Sequence, residues 1–325
     1  MAELNVAQAI NQALDIALAD DGRVMVMGQD VGRTGGVFRV TDGLLERHGD
    51  RRVVDTPLAE SGIVGTAFGL AVGGMRPVAE IQFMGFSYPA FDQVASHVAR
   101  IRNRSRHRFT APLVIRIPYG GGIGAAEHHS ESNEILYVHT PGLKVVVPAG
   151  PGDAKGLLLA AIEDPDPVIF LEPIRLYRAI REDVPEGRHQ VPIGRAQVVR
   201  EGGDVSLIAY GAMVREAAGA AELLAEEGIS AEVVDLRSLV PLDVETVLGS
   251  VERTGRAVVV QEAPRTGGMT GELVALIQEK ALYSLQAPVE RVTGWDIVFP
   301  LKRAEHHYLP GPARIVGAVR RTLEG

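Results

Sequence analysis

The chain has 325 residues, of which 46% are hydrophobic and 23% are charged, a composition that indicates a folded globular protein rather than a disordered one. A chain of this length favours two domains of roughly 100 to 200 residues each. The formal net charge of −8 argues against nucleic acid as a partner. Because cysteine is absent, disulfides, thiolate nucleophiles and cysteine-ligated metal centres are excluded.

The N-terminal segment from Met1 to Asn5 has neither the basic start nor the apolar core of a signal peptide, which predicts a cytoplasmic protein. The most apolar stretch, residues 61–75, is shorter than the roughly 18 to 20 residues that span a bilayer. We therefore expect no association with a membrane.

Apolar periodicity predicts that helices and strands alternate through the first half of the chain. The predicted helices cover residues 4–19, 41–48, 89–101 and 153–162, with a further helix entered at Glu60, and the predicted strands cover residues 24–27, 53–54, 76–83, 113–118, 143–147 and 168–171. After residue 172 this periodicity disappears, and residues 181–195, rich in charged residues, proline and glycine, are predicted to be a linker.

The same alternation resumes beyond the linker. The predicted strands there cover residues 205–210, 231–235, 257–261 and 289–292, and the predicted helices cover residues 214–226, 244–253, 271–283 and 314–323. Such alternation implies mainly parallel sheets with helices on both faces. The sequence thus predicts an α/β fold with two doubly wound domains, residues 1–180 and residues 196–325.

A carboxylate, Glu60, stands at the start of an otherwise apolar helix. Gly65, Gly69 and Gly73 repeat along one ridge of that helix, and each costs about 1 kcal/mol relative to alanine, so we expect another backbone to approach this glycine ridge closely. Glu60 would then be partly removed from water. It is either an N-terminal helix cap or a group whose proton affinity is raised by desolvation for use in catalysis.

The histidine pair His128 and His129 follows the glycine-rich run of residues 119–126, which leaves the end of a predicted strand, where α/β folds bind ligands. The run lacks the spacing of the dinucleotide-binding fingerprint and gives only a weak nucleotide signal. The pair is either a helix cap beside a solvated histidine or part of a ligand site. The run His306-His307-Tyr308 near the C-terminus is interpreted as part of a surface loop. The sequence has no motif of a zinc protease, a serine hydrolase or a phosphate-binding loop.

Several longer motifs resemble one protein family over essentially the whole chain. They are residues 55–61 (DTPLAES), 80–83 (EIQF), 129–132 (HSES), 141–146 (PGLKVV) and 232–237 (EVVDLR). These motifs are similar to those of the beta subunit of the thiamine-diphosphate-dependent 2-oxo acid dehydrogenases. The resemblance implies a transketolase-like arrangement, in which a pyrimidine-binding domain is followed by a transketolase C-terminal domain.

The resemblance also implies that thiamine diphosphate is the cofactor. In the family, the glutamate that matches Glu60 hydrogen-bonds a pyrimidine nitrogen of the cofactor and promotes deprotonation of the thiazolium carbon. The residues that match Leu58, Gln82 and Phe86 contact the pyrimidine ring. A glutamate shielded from water can hold or share a proton near neutral pH, as this role requires.

His129 matches the family histidine that faces the reactive carbon of the cofactor and is implicated in passing the acyl group to a lipoyl arm. A shift of one position in the match would assign this role to His128. Gln29 stands where many relatives have a glutamate, proposed in some to join a proton path between paired active sites. Glutamine cannot relay a proton as an acid, so any such path must differ here or be absent.

Some members of the family bind a structural potassium ion, and five positions of this chain match its ligands: Leu113, Val114, Ala161, Asp164 and Asp166. From the residues alone, the run 164–167 is equally consistent with a tight turn.

The chain has no Gly-Asp-Gly motif, which in the family holds the diphosphate and its magnesium ion. The resemblance therefore assigns magnesium to an alpha subunit in an α2β2 heterotetramer, and the glycine ridge is a candidate for packing between subunits.

We expect oxidative decarboxylation of a 2-oxo acid, pyruvate or a branched-chain acid, with acyl transfer to a lipoylated acyltransferase core. The alternatives are a subunit of another thiamine-diphosphate enzyme, of the acetoin dehydrogenase or split transketolase type, and a non-catalytic scaffold subunit.

Overall fold

The structure is a computed structural model that describes residues 1–324. The α-helices are α1 (Val6–Asp20), α2 (Leu44–His48), α3 (Glu60–Val72), α4 (Phe91–Gln93), α5 (Ile101–Arg104), α6 (Glu134–Val138), α7 (Pro151–Glu163), α8 (Ala212–Glu226), α9 (Val244–Thr254), α10 (Met269–Ala281), α11 (Glu305–Tyr308) and α12 (Pro312–Glu324). The strands are β1 (Ala2–Leu4), β2 (Val24–Gly28), β3 (Val53–Asp55), β4 (Arg76–Glu80), β5 (Val114–Tyr119), β6 (Lys144–Val146), β7 (Val168–Pro173), β8 (Glu182–Val184), β9 (Gln197–Arg200), β10 (Val205–Ala209), β11 (Ala231–Asp235), β12 (Ser238–Val240), β13 (Ala257–Val260) and β14 (Glu290–Val292).

Two mainly parallel sheets organise the chain. The first has the strand order β12-β6-β7-β5-β4-β2-β3, and the second has the order β14-β13-β10-β11-β9. Only the edge pairs β12 with β6 and β9 with β11 are antiparallel in these sheets. Strands β5 and β7 are buried along their whole length, as expected for parallel strands covered on both faces. The predicted α/β class with two doubly wound sheets is therefore confirmed.

Two short strands connect the halves in ways that the periodicity did not show. Strand β12 follows β11 of the second half but pairs with β6, so it completes the edge of the first sheet. Strand β8 lies inside the predicted linker and pairs antiparallel with β1 at the N-terminus. The segment 181–195 is thus partly anchored rather than free.

Helix α1 shows how local sequence directs the fold. Asn5 and Gln8 form a reciprocal capping box, with Asn5 Oδ1 accepting from the Gln8 amide at 2.9 Å and Gln8 Oε1 accepting from the Asn5 amide at 3.1 Å. The apolar face that follows, including Ile10 and Leu14, is buried against α7. No helix among residues 1–324 is both long enough and apolar enough to cross a membrane.

The predicted strand over residues 76–83 and the predicted helix over residues 89–101 are wrong at their boundaries. Strand β4 ends at Glu80, and a 3-10 segment runs from Met84 to Ala90. Helix α4 and a π-helical turn at residues 94–98 follow before α5. Pro89 lies inside the 3-10 segment, and because proline has no amide hydrogen it cannot support a continuous α-helix there.

The structure also corrects the expectation that another backbone approaches the glycine ridge of α3 closely. Gly69 has no atom within 4 Å of the position of an added Cβ, and Gly65 meets only the Gln93 side chain, at 3.3 Å. Gly62, Thr66, Gly69 and Gly73 are exposed although the helix is apolar overall. No backbone among the described residues covers this face, so the close approach that the glycines suggest is not made within the chain.

Candidate functional site

The residues predicted for the cofactor lie at one edge of the first sheet, where β3, β2, β4 and β5 end. Leu58 and Glu60 follow β3, Gln82 and Phe86 follow β4, and His129 follows β5 after the glycine-rich run. The carboxyl ends of parallel strands form the usual ligand crevice of α/β folds. The fold therefore brings together, at one edge, positions that are up to 71 residues apart in the chain.

Aromatic rings form one wall of this edge. The Phe83 and His129 rings meet edge to face with centroids 4.6 Å apart, and the Phe86 and His129 centroids are 5.1 Å apart. The His129 Nδ1 atom is buried and has no hydrogen-bond partner within residues 1–324. A buried, unpaired ring nitrogen is costly, so a bound group that hydrogen-bonds it would relieve that cost.

The neighbouring His128 lies in a different environment. Its side chain is 48% exposed, and its Nδ1 atom is 3.6 Å from Glu131 Oε1. Its ring is tilted against Phe86 at a centroid distance of 5.4 Å. Both histidines belong to a 3-10 turn at Glu127–His129, so neither caps an α-helix as the alternative interpretation proposed.

Glu60 is the first residue of α3, and the N-cap position is occupied by Ala59 without any side-chain cap bond. The interpretation of Glu60 as a helix cap is therefore wrong. Its side chain is half-buried, and no residue in the described range forms a hydrogen bond or an ion pair with it. Beside it, the apolar side chain of Leu58 is 69% exposed.

The side-chain amide of Gln82 points toward the loop after β2. Its Nε2 atom donates to the Gln29 carbonyl at 3.4 Å and to Asp30 Oδ2 at 3.3 Å. The Ser61 hydroxyl donates to the Pro89 carbonyl and connects α3 to the 3-10 segment. These two links connect the segment after β4 to the loop after β2 and to the start of α3.

A buried ion triad connects strands β4, β5 and β7 of the first sheet. Arg116 in β5 donates to Glu80 Oε2 at 2.7 Å and to both carboxylate oxygens of Glu172, at 2.6 and 2.8 Å. Burial raises the pKa of the Glu80 carboxyl group. Because Glu80 precedes Gln82 by two residues, the triad fixes the backbone from which Gln82 projects.

Two glutamates of the second half of the chain bind the glycine-rich run. Glu262 Oε1 accepts from the Gly121 amide at 2.5 Å, and Glu305 accepts from the Gly122 amide at 2.5 Å and from the Gly124 amide at 3.1 Å. These amides are therefore occupied by carboxylates of the same chain and are not free to bind a phosphate group. We call Glu262 and Glu305 the carboxylate latch.

Neither the periodicity nor the motifs of the sequence predicted the carboxylate latch. Glu305 begins α11, and Tyr308 of that helix is only 4% exposed, so the interpretation of residues 306–308 as a surface loop is wrong. The available signal was the pattern Glu-His-His-Tyr, in which the first and last residues fall on one helical face.

The positions predicted for potassium are occupied by internal contacts. Asp164 Oδ2 is 2.5 Å from Lys144 Nζ, and Asp166 Oδ1 is 2.6 Å from Arg102 Nε. The carbonyls of Leu113 and Ala161 accept from the amides of Val168 and Asp164, at 3.0 and 3.3 Å, while Val114 lies in the ladder of β5.

The Asp166 amide donates to Asp164 Oδ1 at 2.9 Å, which is the geometry of an aspartate-stabilised turn. Within the described residues, no group of three or more His, Cys, Asp or Glu side chains is placed to hold a metal ion. The side-chain oxygens at this turn therefore fit ion pairs better than an added cation, and potassium binding stays a prediction.

Comparisons with known proteins agree with this architecture. Residues 2–179 match the family model described as the pyrimidine binding domain of transketolase, and residues 194–315 match the transketolase C-terminal domain. A solved structure titled split gene transketolase, inactive beta4 tetramer, superposes with a TM-score of 0.82 over 99% of this chain and 98% of that chain, at 24% identity. Fold and family models thus define a transketolase-like protein of two domains.

Curated relatives narrow the class. The chain is 51% identical over 321 residues to the pyruvate dehydrogenase E1 component subunit beta of Acholeplasma laidlawii, covering 99% of this chain and 98% of the relative. It is also 51% identical over 324 residues to the corresponding subunits of Staphylococcus epidermidis and Staphylococcus aureus, with complete coverage of both chains. The chain belongs to the family of pyruvate dehydrogenase E1 beta subunits.

Proposed function

We propose that this chain is the beta subunit of the decarboxylating component of a 2-oxo acid dehydrogenase complex, with pyruvate as the substrate. The full-length identity of 51% to E1 beta subunits carries this proposal, because it covers the complete candidate site. A branched-chain 2-oxo acid is the alternative substrate. The product is carbon dioxide and an acyl group transferred to the lipoyl arm of an acyltransferase core.

Thiamine diphosphate is the cofactor expected for this family, and the residues at the sheet edge fit its pyrimidine half. Phe86 and the exposed Leu58 offer apolar surface for the two faces of a planar ring. Glu60 offers an unpaired carboxyl group, and Gln82 offers an amide. When bound, the cofactor supplies the electron sink for decarboxylation.

The roles of the protein residues follow from this fit. Glu60 would hold a proton at its carboxyl group beside the pyrimidine ring, and its half-buried position limits competition by water. His129 holds a proton at the unpaired Nδ1 atom and delivers it during acyl transfer. The aromatic wall of Phe83 and Phe86 orients the His129 ring and excludes solvent on that side.

An alpha subunit completes the proposed enzyme. It holds the magnesium ion and the diphosphate, and two copies of each chain form an α2β2 heterotetramer. The exposed glycine ridge of α3 supports this proposal, because an apolar helix with an open face is expected to be covered in the assembled protein. A cytoplasmic location belongs to the same proposal.

The decisive experiment is Glu60→Gln in the chain co-purified with the alpha subunit. We expect decarboxylation to fall by roughly 10² to 10⁴-fold, the range typical for loss of a general acid or base, while the assembly is retained. Glu46→Gln, at an exposed position of α2, is the matched control and should keep full activity. Turnover near wild type in Glu60→Gln would contradict the proposed role.

The substrate is assigned by a parallel assay of pyruvate and 3-methyl-2-oxobutanoate, with and without a lipoylated acceptor. Preference for pyruvate with acyl transfer to the lipoyl group supports the proposal. Preference for the branched acid selects the alternative substrate. Activity that does not need a lipoylated partner would instead favour an acetoin-cleaving or transketolase-type subunit, and no activity from a well-formed pair would favour a scaffold.

A further inference from the structure

A second cavity lies in the C-terminal half of the chain, outside the candidate thiamine site. It has a volume of about 390 Å³ and opens at the carboxyl ends of the neighbouring parallel strands β13 and β14, beside α12. Its lining combines four arginines with one aspartate and an indole: Arg265, Arg291, Arg314, Arg321, Asp296 and Trp295. We call it the arginine pocket.

We propose that the arginine pocket binds a small molecule that carries a phosphate or diphosphate group. Guanidinium groups are planar donors that match phosphate oxygens in pairs, and several of them converge here. The crevice beyond the carboxyl ends of parallel strands is also where α/β folds bind such ligands. This proposal concerns a site on the other sheet and does not depend on the proposed decarboxylase function.

The arginines of the pocket are incompletely neutralised. Arg291 is half-buried, and its guanidinium group forms no hydrogen bond or ion pair with any residue from 1 to 324. The Arg265 guanidinium donates only to the Arg291 carbonyl, at 3.4 Å. The single lining carboxylate, Asp296, accepts from the Thr266 amide at 2.8 Å and from its hydroxyl at 2.7 Å. Burial and the charge of Arg265 lower the pKa of Arg291, and the negative charge of Asp296 offsets only part of this effect.

The other two arginines are held in place by protein groups. Arg314 donates to the Tyr308 carbonyl at 3.1 Å and to the Thr293 carbonyl at 2.5 Å, and its guanidinium lies 4.8 Å from the centroid of the Trp295 ring. Arg321 is 2.8 Å from Glu290 Oε2. In the pocket, Arg265 and Arg291 form no ion pair within residues 1–324, whereas Arg314 and Arg321 are held in place by protein groups. This arrangement favours one specifically bound anion over many weakly bound ions.

The size of the cavity indicates the kind of ligand. A volume of about 390 Å³ falls within the range of roughly 300 to 1,000 Å³ for small-molecule sites, so the ligand is larger than a phosphate ion. The Trp295 indole is oriented by its Nε1–H bond to the His307 carbonyl at 3.0 Å, and 54% of the residue is exposed. A planar ring attached to the phosphate would find an aromatic surface there, which favours a nucleotide-like molecule.

Trp295 is the sole tryptophan of the chain, so its fluorescence reports directly on the pocket. The experiment is a fluorescence titration of the full-length chain with ADP, with inorganic phosphate and with adenosine as probes. We expect saturable change with ADP, weaker saturable change with phosphate, and little change with adenosine at the same concentrations.

The variants are Arg291→Gln and, at the exposed rim, Arg265→Gln, which keeps the test open if the first variant folds poorly. Each should weaken ADP binding by at least about tenfold, since each removes a cation that forms no ion pair within residues 1–324. Arg320→Gln is the matched control because Arg320 neighbours Arg321 on α12 but pairs with Glu227 outside the pocket. The proposal is overturned if wild type shows no saturable change, if adenosine binds as well as ADP, or if all three variants bind like wild type.

Discussion

Glu134 is a buried carboxyl group with an incomplete set of partners. The Tyr210 hydroxyl donates to its Oε1 atom at 2.5 Å, whereas Oε2 is buried without any partner within residues 1–324. Burial raises its pKa from 4.5 to about 7. Arg116 provides the contrast, since both of its buried carboxylate partners face a guanidinium. A single buried glutamate thus carries a proton at a pH where a solvated glutamate would be ionised.

This shift predicts a pH dependence of stability. The folded chain holds the Glu134 proton up to pH about 7, whereas the unfolded chain releases it near pH 4.5, so the free energy of unfolding falls as the pH rises between these values. In Glu134→Gln this contribution is absent. We expect the free energy of unfolding of the variant, relative to wild type, to increase by roughly 1 to 3 kcal/mol between pH 5 and pH 7.5.

Urea unfolding of both proteins at both pH values measures this difference. Comparing the result at pH 5 with the result at pH 7.5 cancels any cost of burying the glutamine amide that does not depend on pH. Glu245→Gln, on the exposed face of α9, is the control and should follow wild type at both pH values. Parallel pH profiles for wild type and Glu134→Gln would show that Glu134 is not protonated in the folded chain.

At the scale of elements, α3 combines an apolar composition with an exposed face. It is apolar overall, yet the face with Gly62, Thr66, Gly69 and Gly73 is exposed. A helix of this kind is stable in water only when its open face is covered. The glycines then serve a contact that the chain does not make alone, and Glu60 at the start of the helix lies beside that contact.

Gly69→Ala tests this interpretation, because an added methyl group meets open space in the chain by itself. We expect the isolated chain to gain up to about 1 kcal/mol of stability, since alanine favours the helix more than glycine does. The same change should weaken assembly with the alpha subunit, because the methyl group would separate the two surfaces.

Gly249→Ala in α9 is the matched control, since it also adds a methyl group to open space within a helix. It should stabilise the chain without affecting assembly. Thermal unfolding and analytical ultracentrifugation with the alpha subunit measure the two effects. Unchanged assembly in Gly69→Ala would remove the glycine ridge as a subunit contact.

At the scale of the whole molecule, the two halves are joined by contacts that cross most of the chain. The carboxylate latch connects the C-terminal half to the glycine-rich run that leads to His129. Strand β12 extends the first sheet with residues of the second half. The position of the proposed catalytic histidine therefore depends on both halves.

Glu305→Gln should loosen the glycine-rich run, because a carboxylate that accepts two amide bonds is replaced by a neutral and weaker acceptor. We expect faster amide hydrogen exchange over residues 120–131, by about tenfold, with the rest of the first sheet unchanged. Glu279→Gln, at an exposed position of α10, is the control. If exchange over residues 120–131 stays at the wild-type rate, the carboxylate latch does not order this run.

The sequence by itself determined the α/β class, the order of most helices and strands, and the family, since apolar periodicity and long motifs are local properties of the chain. The candidate residues Glu60, Gln82, Phe86 and His129 were named from the motifs alone, whereas their position at one edge of the first sheet is given by the strand order of the structure.

Only the tertiary structure decided which surfaces these elements cover. Glu305 and Gly122 are separated by 183 positions, β12 pairs across the domain boundary, and the arginine pocket gathers residues from two strand ends and the last helix. Periodicity shows which face of an element is apolar but does not identify its partner. The open glycine ridge and the carboxylate latch both depend on such long-range partners, or on their absence within residues 1–324.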